Sequence, residues 1–284
     1  MHSRSAPTQA ETQEAEAAAN GSGLSGGSVH ERGDDKGRRE LPILDVNGRD
    51  RSIGRTLLVR GLCLLAVAAI VPIDASIREP AERLYEMMGG DLKREFKAYS
   101  QFGGLTSVVL VGLVILLLDR ARSSRLWDLS LSMGLASFVT MVFKILIGRT
   151  RPRFHTPEHF LGFWDSMPTS LDTEPIYSWQ LWAHSPNEFW SMPSGHTSAA
   201  FALATFLAIT YPRIRWLVFA VAIVVPMSRL MTGAHWASDV VAGGCVGVWV
   251  SSAVTGRGLG RRLAGRLGLM HKGRSSGAGQ PAGG

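Results

Sequence analysis

Residues 191–202 read SMPSGHTSAAFA: proline, serine, glycine and histidine run directly into small and apolar residues. Apolar helices usually open on a capping serine or aspartate, and here Ser194 stands ahead of Gly195 and His196. A histidine at the mouth of a buried helix is either a polar end-piece or the edge of an active site. The kind of helix it opens decides between the two.

That helix is one of six apolar runs, at 56–73, 102–118, 126–147, 195–211, 215–232 and 236–254. The 284-residue chain is 45% hydrophobic with a mean hydropathy of +0.10, values that are not extreme. The apolar residues are concentrated, however: 102–118 reads FGGLTSVVLVGLVILLL and 216–227 reads WLVFAVAIVVPM, while both chain ends are almost empty of them. A helix needs about 20 residues to cross hydrocarbon, so the shorter runs must borrow flanking residues or tilt. The expectation is an all-α, polytopic membrane protein built as a six-transmembrane-helix bundle. The fourth and sixth runs are rich in Ala, Gly, Ser and Thr, which lets helices approach closely inside a bundle.

The domain plan follows from the same distribution. Residues 1–50 form a disordered cytoplasmic tail by composition, 51–256 the membrane domain, and 257–284 a basic, Gly-rich cytoplasmic tail. GSGLSG at 21–26 matches a dinucleotide fingerprint but follows no strand and opens no amphipathic helix, so it is dismissed. Asn20 opens an N-G-S sequon in that same tail. The first apolar run begins near residue 56, too late for a secretory signal, and reads as an uncleaved span. Cys63 and Cys245 lie inside apolar runs and behave as small buried hydrophobes without a disulfide framework.

A net charge of +7 invites a nucleic-acid reading. The basic residues form no interleaved basic and aromatic face, and many sit just outside apolar runs, so anionic lipid headgroups explain them better and no nucleic-acid partner is expected. Arg49, Arg51, Arg55 and Arg60 crowd the first run, Arg120, Arg122 and Arg125 fill the second loop, Arg213 and Arg215 the fourth, and Arg257, Arg261, Arg262 and Arg266 follow the last. The positive-inside rule then puts both termini in the cytoplasm and the first, third and fifth loops outside. Arg78, Arg83, Lys93, Arg94 and Lys97 in the first outer loop blur that signal.

This topology gathers three sequence sites at one face. The third run ends in KILIGRTRPR (144–153), the fourth begins with PSGH (193–196), and SRLMTGAHWASD (228–239) joins the fifth to the sixth. Polar groups at span ends are costly and default to function. His235 and Asp239 are four apart and share a face if helical; an aspartate bonded to one imidazole nitrogen leaves the other free to attack or to take a proton. Lys144, Arg151 and Arg229 are three cations able to hold phosphoryl oxygens. If Ser194 caps the fourth helix, the backbone N–H groups of Gly195 and His196 make an anion site, with His196 beside it as proton donor.

These residues resemble the type 2 phosphatidic acid phosphatase (PAP2) superfamily, integral-membrane branch, whose phosphate pocket is shared with the vanadium haloperoxidases. K-x6-R-P is matched by Lys144, Arg151 and Pro152; P-S-G-H by Pro193, Ser194, Gly195 and His196; S-R-x5-H-x3-D by Ser228, Arg229, His235 and Asp239. The resemblance covers about residues 56–254. It implies that His235 is a nucleophile forming a phosphohistidine and that Asp239 orients it. His196 would protonate the leaving alcohol and then activate water, while Lys144, Arg151, Arg229, Ser194 and Gly195 bind the phosphoryl oxygens. It also implies a hydrolase without metal or other cofactor, acting on a lipid phosphate or pyrophosphate. The basic-residue pattern puts that site at the outer side of a bacterial inner membrane, and no obligate protein partner is expected.

Other readings stand beside these. Arg149 and Arg153 read as interfacial anchors, and the aromatic residues of 154–192 as a belt at headgroup level. His155 and His159 read as surface histidines rather than metal ligands. RLYEMMGGDLKREFKAY (83–99) reads as an amphipathic helix on the membrane surface. Transfer of the phosphoryl or phospho-headgroup to another acceptor, and a non-catalytic transporter or scaffold, are the alternative functions. The six spans argue against a soluble haloperoxidase. Phosphatidic acid, phosphatidylglycerol phosphate, undecaprenyl pyrophosphate and sphingoid phosphates all fit the motifs, which read phosphate and not tail.

Overall fold

The apolar runs become helices wherever no proline or glycine interrupts them. The structure, a computed structural model, describes residues 46–154 and 159–269. The expected tails, the Asn20 sequon, GSGLSG and His155 lie outside these. Helix α1 (Val46–Ile70) passes through a 3-10 turn at Val71–Ile73, where Pro72 denies a backbone donor, into α2 (Asp74–Met87). Next come α3 (Gly90–Tyr99), α4 (Leu105–Leu118) and α5 (Leu126–Ile147). A two-stranded hairpin, β1 (Ser166–Met167) with β2 (Ile176–Tyr177), lies in the long loop before α6 (Gly195–Thr210). Then α7 (Arg215–Met231), α8 (Ala237–Arg257) and a short α9 (Leu259–Arg266) complete the described chain.

Four segments are long and apolar enough to cross a membrane: Thr56–Met87, Arg120–Ile147, Pro212–Met231 and Ala237–Arg257. The second and fourth expected spans are present as the shorter apolar helices α4 and α6. Large side chains face outward along these helices, among them Leu118 at 83% exposure and Leu65 at 65%. A surface this apolar suits hydrocarbon and not water, so the chain is a mostly helical membrane protein. The predicted surface helix over 83–99 is two helices, because the chain turns extended at Met88 and Gly89 before α3 begins.

The interior of the bundle is made by α5, α6, α7 and α8. Leu129 of α5, Leu203 and Phe206 of α6, and Val218 and Val225 of α7 form its apolar centre. Helices α6 and α8 touch backbone to backbone: a Cβ on Gly243 would meet the Ser194 carbonyl oxygen at 2.4 Å, and one on Gly247 the Ser198 carbonyl oxygen at 2.2 Å. Only glycine allows that approach, and it fixes the mouth of α6 against the start of α8. On the opposite end, the first part of the expected basic tail packs as α9, where Arg261 Nε donates to buried Asp128 on α5 at 2.7 Å.

Candidate active site

Lys144 is in the last turn of α5, Gly195 and His196 open α6, and His235 is in the turn between α7 and α8. With Arg151 and Trp190 they line one cavity of about 380 Å³. Ser194 and Asp239 are fully buried, and Arg229 is half-buried at the end of α7. The three sequence sites therefore meet in space, as their topology requires.

The long loop is the clamp that positions this constellation. Its backbone pairs with the segment after α5: Arg151 N donates to Glu188 O at 2.9 Å and Ser191 N to Arg149 O at 3.1 Å. The Trp190 carbonyl accepts from Lys144 Nζ at 2.7 Å and from Arg151 Nη2 at 3.2 Å, so one oxygen fixes two cations at the cavity edge. Arg151 Nε, Arg229 Nε and His235 Nδ1 are buried without a hydrogen-bond partner. Native interiors rarely leave such groups unsatisfied; the two guanidinium nitrogens mark a place fit for an anion, whereas His235 Nδ1 faces the Asp239 carboxylate. Burial, with Arg153 adding repulsion, lowers Arg151 to about 10, which leaves it cationic at neutral pH. Burial pushes the His235 imidazole down to about 3 against the opposing pull of Asp239, so the ring is neutral with a free lone pair.

The aspartate is held differently from expectation. His235 and Asp239 do not share a helix, because α8 starts only at Ala237 and Gly233 turns the chain with a left-handed φ of +62°. Their Nδ1–Oδ2 separation is 3.7 Å, an ion-pair distance longer than a hydrogen bond. Asp239 Oδ2 instead accepts from Ser191 Oγ and from Trp236 N at 2.9 Å, and Oδ1 accepts from Arg149 Nη1 at 2.6 Å. Ser194 occupies the N-cap position of α6 but its side chain makes no capping bond; its hydroxyl accepts from Thr197 Oγ1 at 3.1 Å. The α6 N-terminus thus meets the cavity without a side-chain cap.

Arg149 is the main correction. Read as a surface anchor, it is fully buried. Its Nη1 reaches Asp239 and Ser238, and its Nη2 reaches Asp74 at 2.7 Å. Ser238 N donates to Asp74 Oδ1 at 2.9 Å, and the guanidinium sits over the rings of Phe160 and Trp236. Buried ions survive only when paired and hydrogen-bonded, and here two carboxylates share one guanidinium. Asp74 escaped the sequence reading because it lies in a loop of mixed charges; an acid at the very end of an apolar span was the available signal. Arg153, by contrast, is exposed against Phe154.

The aromatic belt is also only partly a belt. Trp164 and Trp182 are exposed, but Phe189 is buried with Leu161 and Ile176, and the Trp190 indole donates to Ser178 O at 2.8 Å. A loop that must cap a polar cavity needs a small core of its own. His159 is exposed beside Asp165 at 3.2 Å. Among the described residues no cluster of three or more His, Cys, Asp or Glu side chains could hold a metal.

Fold and site together define a helical membrane protein with a buried, cation-lined pocket at one end of its bundle. Residues 125–257 match the PAP2 superfamily, a stretch that encloses all three motifs. The chain is similar to a lipid A 1-phosphatase of Rhizobium johnstonii, 36% identical over 128 residues. That alignment covers 42% of this chain and 45% of the relative, less than half the relative's length. It is also similar to an undecaprenyl-diphosphatase of Sulfolobus acidocaldarius, 38% identical over 63 residues, 22% of this chain and 31% of that one. Among solved structures, the transmembrane PAP2-type phosphatidylglycerolphosphate phosphatase of Bacillus subtilis is similar with a TM-score of 0.48 and 20% identity, over 70% of this chain and 92% of that one.

Proposed function

We propose that this protein is a membrane lipid phosphatase that hydrolyses a phosphomonoester or pyrophosphate through a phosphohistidine, with α4 and α6 completing a six-span bundle. The observation that carries the reading is the pair of buried guanidinium nitrogens without partners, Arg151 Nε and Arg229 Nε, beside a cavity lined by Lys144, Arg151, His196 and His235. A phosphoryl group in the cavity supplies acceptors for such cations while leaving His235 Nδ1 facing Asp239.

In this mechanism Lys144, Arg151, Arg229 and the uncapped first turn of α6 bind the nonbridging oxygens and stabilise the charge that builds on them. Neutral His235 attacks phosphorus with Nε2, forming the N–P bond as the P–O bond to the lipid breaks. His196, at the exposed rim, gives its proton to the departing oxygen. It then takes a proton from water, whose oxygen attacks phosphorus while the N–P bond breaks, releasing phosphate and restoring His235. Asp239 opposes the charge that His235 acquires. Arg149 and Asp74 act behind it as positioning residues, keeping the carboxylate aimed although no hydrogen bond joins it to the imidazole.

The cavity sits at the end of the bundle opposite the Arg-rich loops at 120–125 and 257–266, which supports an outward-facing site by the positive-inside rule. The fixed side-chain cations take the place that divalent ions hold in two-metal phosphatases. Phosphate release from a panel of lipid phosphates and pyrophosphates by the purified full chain, with excess chelator present, tests the whole reading. Retained hydrolysis is expected; loss under chelation with recovery on Mg²⁺ would sink the metal-free mechanism. Phosphate appearing on a second lipid instead of in solution would make the protein a transferase. For orientation, Leu171→Cys, 70% exposed in the wild type, is placed in a background lacking Cys63 and Cys245. It should react with an impermeant maleimide on intact cells.

A further inference from the structure

A second cavity lies apart from the catalytic one. Helix α1 packs loosely on the bundle: its apolar span is mostly exposed, although Val67 is buried and Cys63 meets Cys245 of α8. Between it and α8 runs a groove of about 860 Å³, closed at its back by Phe201 of α6 and Pro226 of α7. Its character changes along its length. Toward the active-site end it is apolar, with Phe201, Pro226 and Val240; toward the far end it carries Thr56, Ser252 and two arginines, Arg60 and Arg257.

Arg60 is the unexplained group. It lies inside the first apolar span, four residues beyond Thr56. An arginine inside a span is unfavourable in hydrocarbon, and near a span's end it reaches toward the headgroup level, where lipid phosphates lie. Among the described residues no carboxylate pairs with Arg60 or Arg257. Two unneutralised guanidiniums closing one end of an apolar groove match a phosphate attached to a hydrocarbon chain. From Val240 to Arg257 the groove follows α8 for about 26 Å at 1.5 Å per residue, close to the ~30 Å hydrocarbon thickness.

We propose that this groove binds one anionic glycerophospholipid, its phosphate held between Arg60 and Arg257 and an acyl chain running along α8 toward Val240. The headgroup lies in the leaflet opposite the catalytic cavity, so the occupant is not the lipid being hydrolysed. It fills the groove between α1 and α8 beside the Cys63–Cys245 contact and adds to the packing of α1 on the bundle. A phosphodiester lipid is sufficient, and the proposal does not depend on the phosphatase reading.

Trp249 lines the groove and reports its occupancy. The full chain is reconstituted in phosphatidylcholine vesicles, and a brominated-chain lipid is titrated in. The Trp249 signal is the difference between wild type and Trp249→Phe. Brominated phosphatidylglycerol should quench it at roughly tenfold lower mole fraction than brominated phosphatidylcholine, as expected for two arginines near a lipid phosphate. Unbrominated phosphatidylglycerol should reverse the quenching. Arg257→Gln and Arg60→Gln should each reduce the preference, and the double variant should abolish it, while hydrolysis of a short-chain soluble phosphate ester continues. Equal quenching by the two lipids in the wild type overturns the proposal, whatever the variants do. A preference that survives in the double variant overturns the arginine assignment.

Discussion

Helices α1 and α8 both lie in segments long and apolar enough to cross a membrane, yet they are built in opposite ways. The apolar window of α8's span is 56% buried and that of α1's is 0% buried. Helix α8 has low bulk, with Gly243, Gly244 and Gly247 on the faces that meet α6, and its first turn carries buried Ser238 and Asp239. Helix α1 is bulky and greasy outside, with Leu57, Leu58, Leu64 and Leu65 all more than half exposed. In lipid there is little hydrophobic gain from helix contact, so close packing and internal polar bonds must hold a site together. The polar chemistry accordingly sits where small residues let backbones touch. The leucine-rich helix contributes chiefly by leading into α2, whose first residue, Asp74, meets Arg149.

That contrast can be broken by substitution, and the expected effects fall in order. The largest is at the α7–α8 turn: His235→Ala removes the proposed nucleophile and should cut turnover about 10⁴-fold or more on every substrate, with no covalent phosphoryl-enzyme after a pulse of labelled lipid. Label trapped on another residue of that variant would reassign the nucleophile. Next, Arg149→Met leaves Asp74 and Asp239 buried without their shared cation. It should cost about 3–5 kcal/mol of stability, read as a drop in the thermal midpoint in detergent, and the double change with Asp74→Asn should be milder than the sum. Strict additivity would mean that the two are not coupled.

Third, His196→Ala should lower hydrolysis of a lipid phosphate about 10²–10³-fold. It should lower release of p-nitrophenolate much less if that ester is accepted, because that group departs without a proton. Equal losses on both substrates would leave His196 as a phosphate contact only. Fourth, Gly247→Val forces a side chain into the α6 backbone and should destabilise by about 1–3 kcal/mol, with activity falling as the α6 mouth shifts from α8. Last and smallest, Leu117→Ala on the outer face of α4, at 73% exposure, should move the midpoint by no more than about 0.5 kcal/mol equivalent. A large effect there would mean that α4 is covered by another chain.

Much of the site could be read from the linear chain because its parts are span ends. Lys144, Arg151, His196, Arg229, His235 and Asp239 are polar residues at the borders of apolar runs, and alternating topology brings such borders together. What a border pattern cannot say is which side chain faces which. Arg149 and Arg153 stand two residues to either side of Arg151 and read alike, but one is fully buried between two carboxylates and the other is exposed. Likewise Phe189 and Trp164 read as one belt and part into core and surface.

The sequence by itself determined the apolar runs, the small-residue character of the fourth and sixth, and the three motifs, since composition and spacing are local properties. Tertiary structure alone decided that Asp74 joins the site from 165 residues away, and that Asp239 is held by Arg149, Ser191 and Trp236 more closely than by His235. The physical reason is that burial and pairing of charge depend on what the rest of the fold leaves nearby. No single stretch of chain carries that information.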